Sequence, residues 1–462
     1  MDKIQQNIYK TIFAFNNKLN SVLGKKIPQL ISIALVCGIS LLWILQPYLK
    51  LDRIGYLTMF IGIIVTILTV EAKPRKIIIR KSLLIPLLLL GLCYFVSALL
   101  YHDRFRFVVG FYFILIIPFI VLLLSNKKNR GNFLFSFSIG SIISFVIFIV
   151  LSLIYAPLTD ERYSSILLNP NGLVFVLLPI TISILYMLEK AKKYTAKIIW
   201  YFVLLFLFGV NIAFILYARS RTGLLSVILM FIFLIIYWTI TKKKILIQLI
   251  SLLLAILICI PLSYFMLTDI NSHILDLRRM TSPRITVFFS MNYKVIESND
   301  ILIAQKNTTN LNVVMKNIQK RSTVGISDDS DISSGRYRIW ESFSNSINWK
   351  GHDSQDGIWI SKKNPNSNDP HNMFLKIGYD LGIGGMISMM IFSLIFLIYI
   401  FKKLLFYFKA RQMEEDELFF YLTSISFFIV AMLSTTFLPF TSILPTIFWC
   451  TVPIIREMNH EV

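Results

Sequence analysis

Apolar runs of about 20 residues, parted by short polar turns, fill this chain from residue 28 to 267 and again from 372 to 456. A helix needs roughly 20 apolar residues to cross a bilayer. The pattern therefore predicts twelve spans, near 28–47, 52–71, 82–101, 107–125, 132–156, 170–188, 197–217, 222–241, 245–267, 372–401, 418–437 and 440–456. Spans eleven and twelve share a very tight turn. Ahead of the first span, Ile4, Ile8, Ile12, Phe15, Leu19 and Val22 recur at helical spacing among Lys3, Lys10 and Lys18. That alternation predicts a basic amphipathic helix over 1–27, lying on the cytoplasmic membrane surface rather than serving as a cleavable signal. The fold class that follows is an all-α polytopic membrane protein.

The rhythm breaks once. Residues 268–371 form a polar block between spans nine and ten, with 13 basic and 11 acidic residues. Within it, Leu311, Val314, Met315 and Ile318 make one helical stripe, preceded by Thr308, Thr309 and Asn310 as caps. Ile339, Trp340, Phe343 and Ile347 make a second. The stretch 360–370, rich in Asn, Ser, Asp and Pro, is loop. The expectation is a small helical cap over one mouth of the bundle, not a separate compact domain. The organisation expected is a cytoplasmic segment at 1–27, spans one to nine at 28–267, the cap at 268–371, spans ten to twelve at 372–456 and a tail at 457–462.

Composition agrees: 56% hydrophobic, 15% charged, 38 Phe among 462 residues. The net charge of +21 does not point to nucleic acid, because most of it sits in short loops, where Lys and Arg orient spans. Loops on the N-terminal side hold 25 Lys and Arg, against 7 in the short loops on the other side. The positive-inside rule then puts both termini in the cytoplasm and the polar block outside. Cys37, Cys93, Cys259 and Cys450 all lie in apolar runs, so neither a disulfide framework nor a Cys/His metal cluster is implied.

The residues able to carry chemistry gather on the outer side. His371, at the start of span ten, has the side chain best suited to accept a proton near neutral pH, although an interfacial histidine capping a helix has the same appearance. Arg219 and Arg221 flank Ser220 in a short turn on the charge-poor side. Guanidiniums grip phosphate oxygens and stay charged, although arginines that merely mark a span end look alike. Arg336 and Arg338 open the second cap helix, and Trp340 could stack on a sugar or pack within the cap. Asn169 and Asn171 start span six, where amides could bond hydroxyls or simply form a turn. Lys376 and Asp380 sit four residues apart within span ten and can neutralise one another; the pair reads as mostly structural. No glycine-rich phosphate loop, HExxH or GxSxG motif and no glycosidase-like carboxylate pair is present.

Together these residues resemble a known family. His371, Asn372, Phe374, Leu375, Asp380, Gly382 and Gly385 are similar to the signature of the O-antigen ligase and Wzy-type polymerase superfamily. The turn from Arg219 to Thr222 resembles its Ser-Arg-Thr turn, residues 169–172 its Asn-Pro-Asn span start, and Gly335, Arg336 and Trp340 its Gly-Arg…Trp element. Asp380 stands where Glu is more usual. The motifs extend from about 169 to 385. The resemblance implies a GT-C-like glycosyltransferase, inverting, with no metal and no cofactor. Its donors would be undecaprenyl-diphosphate-linked oligosaccharides at the outer face of a bacterial cytoplasmic membrane. His371 would activate the acceptor hydroxyl, while Arg219, Arg221 and Arg336 would hold the donor diphosphate. Asn169, Asn171, Asn372, Arg338 and Trp340 would position substrate. Partners besides the lipid bilayer would be a flippase and a chain-length regulator, with no nucleic acid.

The leading reading is a polymerase joining lipid-linked repeat units for capsule, exopolysaccharide or O antigen. A ligase moving finished glycan to another acceptor is the runner-up. A flippase would need charges through the full depth of the bundle, whereas here they cluster at the outer mouth.

Overall fold

The computed structural model describes residues 2–24, 26–49, 54–72, 77–156, 158, 162–167, 169–191, 198–271, 273–274, 336–354, 356–358 and 369–457. The first cap stripe, Leu311 to Ile318, and most of the loop 360–370 lie outside them.

Fourteen helices are described. They are α1 (Asp2–Leu23), α2 (Lys26–Leu49), α3 (Ile54–Leu68), α4 (Lys81–Tyr101), α5 (Arg104–Leu123), α6 (Lys127–Tyr155), α7 (Pro170–Ala191) and α8 (Ile198–Tyr217), followed by α9 (Arg221–Ile240), α10 (Ile245–Ile270), α11 (Arg336–Ser346), α12 (Met373–Ala410), α13 (Glu415–Leu433) and α14 (Ile443–Thr451). Ten of these are long and apolar enough to cross a membrane, so the chain is an all-α polytopic membrane protein. The other two predicted spans are helical but short: α3 has 15 residues and α14 only 9. Residues 434–442 between α13 and α14 form a loop rather than a tight turn. Beyond α14 the chain leaves helix. Ile455–Glu457 pairs antiparallel with Ile77–Ile79, so the expected last span ends in a two-stranded ribbon.

The bundle is layered by burial. Helix α7 is covered on nearly all sides, whereas α10 leaves most of its surface exposed, as a lipid-facing outer helix would. Helix α2 packs on α6, α8 on α10, and α4 on α12. Close approach needs small residues where helices cross. At Gly140 of α6, a Cβ would meet the Ile33 carbonyl oxygen of α2 at 2.8 Å.

One end of the bundle collects the loops that the charge census groups together. Asn16 of α1 donates to the carbonyls of Ile67 and Val70, and the Tyr9 hydroxyl donates to the Ala72 carbonyl. Asn129 in turn donates to Tyr9 and accepts from the backbone of Glu71 and Ala72. Helix α1 is therefore fastened by a polar edge, with Ile8, Phe15 and Val22 left exposed on another face. At the same end, the acidic start of α13 meets the surrounding bases. Glu417 pairs with Lys403 at 2.5 Å and Arg130 at 3.5 Å, Asp416 accepts from Tyr186 at 2.9 Å, and Glu414 pairs with Lys127.

Candidate active site

At the opposite end of the bundle, α12 begins with Asn372 as its cap. The Asn372 side-chain oxygen accepts from Phe374 N and Leu375 N at 3.0 and 3.2 Å, satisfying free amides of the first turn. Its amide nitrogen donates to the Met432 carbonyl at 3.4 Å, tying that turn to the end of α13. Both ends of the Asn372 side chain are thus engaged at the helix start.

His371, immediately before the cap, has φ 52°. A left-handed backbone at a non-glycine residue needs local support, and Asp369 supplies it. One Asp369 oxygen accepts from His371 N at 2.8 Å and lies 3.2 Å from His371 Nδ1. The other accepts from the Thr435 hydroxyl at 3.0 Å, across the loop that follows α13. Burial pushes the Asp369 carboxyl up. The hydrogen bond from the His371 ring, the charge of that ring, the His371 backbone bond and the Thr435 hydroxyl outweigh burial and hold the carboxyl below its ordinary range. Asp369 and Thr435 were not singled out by sequence pattern. The available signal was an acid two residues before a histidine, in a stretch that otherwise read as loop.

The second cap stripe packs as its periodicity predicts. Phe343 is fully buried, edge-on to Tyr379 at 4.9 Å, and Ile347 lies against Gly378. Helix α11 is therefore laid on α12. Trp340 Nε1 donates to the Pro370 carbonyl at 2.9 Å, so this indole fastens α11 to the residue preceding His371. Arg338 is exposed. Arg336, at the first turn of α11, is half-buried. Burial and then the like charge of Arg221 lower its proton affinity, with Asp369 opposing. Arg336 thus feels the charges of both Arg221 and Asp369, and His371 is bonded to the latter.

The Arg-Ser-Arg turn is more enclosed than a membrane-surface turn would be. Arg219 is 7% exposed and has φ 49°. The Asn171 side-chain oxygen accepts from the Ser220 hydroxyl at 3.1 Å and from Arg162 Nη2 at 3.0 Å. Arg162 also donates to the Ala218 carbonyl at 3.2 Å. Asn169 accepts from Asn171 N at 2.9 Å at the start of α7. These two asparagines hold the turn that carries Arg219 and Arg221. Arg162 is a further cation at this mouth that sequence reading counted only in the loop census.

Lower in α12, Lys376 bonds Asp380 at 3.0 Å, as their spacing predicts, and a third member joins them. Arg106 is 3% exposed and lies 3.7 Å from Asp380 and 3.5 Å from Asp103. The helix breaks at Gly382, whose φ of 78° and ψ of −176° are accessible essentially only to glycine. The segment 347–352 fills the break. Ile383 N donates to the Asn348 carbonyl at 3.0 Å, and His352 stacks on Tyr379 at 4.1 Å with its Nδ1 3.0 Å from the Tyr379 carbonyl.

Residues 203–390 match the sequence model of a family described as O-Antigen ligase. This match, over less than half of the chain, supports the resemblance to the O-antigen ligase and Wzy-type polymerase superfamily. The matched region contains Arg219, Arg221, Arg336, Asp369 and His371, whereas Asn169, Asn171 and Thr435 fall outside it. The matched family is one of membrane glycosyltransferase-like enzymes of the ligase and polymerase kind. No curated protein and no solved structure matches the chain.

Proposed function

We propose that this O-antigen ligase-type enzyme is a polysaccharide polymerase that joins undecaprenyl-diphosphate-linked repeat units at the outer face of a bacterial cytoplasmic membrane. The observation that carries the reading is that Arg336 lies within the electrostatic reach of both Arg221 and Asp369, while Asp369 contacts His371. Two guanidiniums that raise each other's electrostatic cost gain most from an anion between them, and a diphosphate offers two adjacent anionic groups to such forks. Arg219 supports the same site from its buried turn.

In the reaction so envisaged, His371 Nε2 takes the proton of the acceptor sugar hydroxyl, and the freed oxygen attacks the anomeric carbon of the donor sugar. The bond from that carbon to the diphosphate oxygen breaks, and its electron pair leaves with the carrier diphosphate. Configuration inverts because attack comes from the face opposite the leaving group. The arginines stabilise charge that grows on the leaving oxygen, the kind of preorganised electrostatic effect that contributes most to such steps. Neither a metal nor a cofactor is assigned a role. The lipid tail lies between helices while the sugars sit beneath α11, with the termini and the ribbon on the cytoplasmic side. A flippase and a chain-length regulator are the partners such a polymerase works beside.

A ligase reading shares every one of these residues, and the matched family is equally consistent with it. The two differ in acceptor alone. His371→Ala and Arg221→Ala should each insert normally yet leave the host's lipid-linked glycan unconsumed. Accumulation of single repeat units identifies a polymerase, and accumulation of finished polymer on the carrier identifies a ligase. Unchanged glycan profiles in both variants would refute the transferase assignment.

A further inference from the structure

We propose that Asp369 is a positioning residue for His371, holding Nδ1 so that Nε2 is the free base, and that Thr435 holds Asp369 in turn. The inference rests on the reading of His371 as the base that takes the acceptor proton.

Three observations carry it. The two Asp369 oxygens divide their work: one meets His371 at both the backbone nitrogen and Nδ1, and the other accepts from Thr435. An imidazole with one nitrogen bonded to a carboxylate donates there and keeps its lone pair on the other, which fixes both tautomer and ring direction. His371 also stands in a left-handed turn at φ 52°, a strained geometry of the kind concentrated at functional sites. Its support comes from two places, since Asp369 precedes α12 and Thr435 follows α13. Finally, the neighbourhood is electrostatically suited. Arg336 interacts with Asp369, so a carboxylate that serves His371 also lies within the field of a cation assigned to the donor.

A purely structural role would be a local turn closed by the bond from His371 N to the carboxylate. Asparagine makes that turn equally well, keeping size and acceptor while removing the charge that stabilises imidazolium as His371 takes a proton. The two roles therefore separate in Asp369→Asn.

The full chain, purified into nanodiscs, is given lipid-linked glycan extracted from host cells that lack it. With Asp369→Asn, kcat should fall at least about tenfold, part of the roughly 10²- to 10⁴-fold that a general base contributes, with KM within about twofold of the parent because the three arginines still hold the donor. Thr435→Val should lower kcat by less, about three- to fivefold on the same scale, and Thr435→Ser should restore it. Thr435→Val and Thr435→Ser decide the matter if Asp369→Asn does not purify as a monodisperse protein. His371→Ala separates the two layers of the argument. If His371→Ala keeps activity, the base assignment itself is wrong. If it is silent while Asp369→Asn keeps parental kcat, or raises KM alone, the positioning role is wrong and the base assignment stands.

Discussion

The indole nitrogen of Trp340 donates to the carbonyl of Pro370 at 2.9 Å, so the helix that carries Arg336 is tied to the residue next to His371. A cation assigned to the donor and a base assigned to the acceptor thereby share a mechanical link. Trp340→Phe keeps the ring and removes the bond, worth about 1 kcal/mol. The expected outcome is a several-fold loss of transfer rate in the nanodisc assay and faster proteolysis of residues 336–346. Unchanged proteolysis would show that α11 is held without this bond.

Arg336 should not tolerate lysine. A lysine presents a point charge where a planar fork is needed. Arg336→Lys should raise KM for the lipid-linked donor by about tenfold, the equivalent of roughly 1.4 kcal/mol, and should raise the concentration of inorganic diphosphate needed for half-inhibition. A parental KM would mean that Arg336 serves α11 alone.

The Asp369 carboxyl sets a pH window. Its proton affinity is lower in the folded state than in the unfolded chain, against an ordinary value of 3.8. Its stabilising contribution is therefore complete above that ordinary value and is lost as pH falls through the lower folded one. The titratable and charged groups that act on it are His371 and Arg336. Thermal unfolding of the parent and of Asp369→Asn should differ at neutral pH and converge as acid protonates the carboxyl. A constant gap down to the lowest accessible pH would contradict the assignment.

Buried charge predicts where stability is concentrated. Removing one member of a buried ion pair costs about 3 kcal/mol. Arg106 is 3% exposed against 20% for the Lys376 side chain, the two cations that face Asp380. Arg106→Ala should thus lower the unfolding temperature in detergent more than Lys376→Ala does. The reverse order would place the main support of Asp380 within α12 itself.

Gly382 makes the sharpest structural prediction. A Cβ there would collide with the Trp349 carbonyl, and its backbone conformation is strained for any other residue. Gly382→Ala should cost at least about 2 kcal/mol from backbone strain alone, read as a lower unfolding temperature. Gly384→Ala, whose Cβ would make an ordinary contact with Cys93 Sγ at 3.8 Å, serves as the tolerant neighbour.

Much of the architecture is legible in the chain because spanning helices satisfy their own backbone and must be apolar. All twelve predicted spans correspond to helices. The two that fall short, α3 and α14, are apolar but only 15 and 9 residues long, and the ribbon between residues 77–79 and 455–457 pairs segments far apart in sequence that no local period can reveal. At the site, His371 and the arginines could be selected by residue type and side. The bonds of Asn171 and Asn372 could not, since an amide that caps a turn and an amide that meets a sugar are spelled alike. Thr435 was invisible for the same reason that it matters: its partner lies 66 residues away and is reached only through the fold.

The break in α12 has a consequence for biogenesis. Its carbonyls and amides at 379–383 find partners on Ser97 of α4, on His352 and on Asn348. Exposed backbone polar groups are costly in hydrocarbon, so α12 cannot take its broken shape until residues 348–352 have docked against it. Its final shape is therefore acquired together with the segment before it, not by the helix alone.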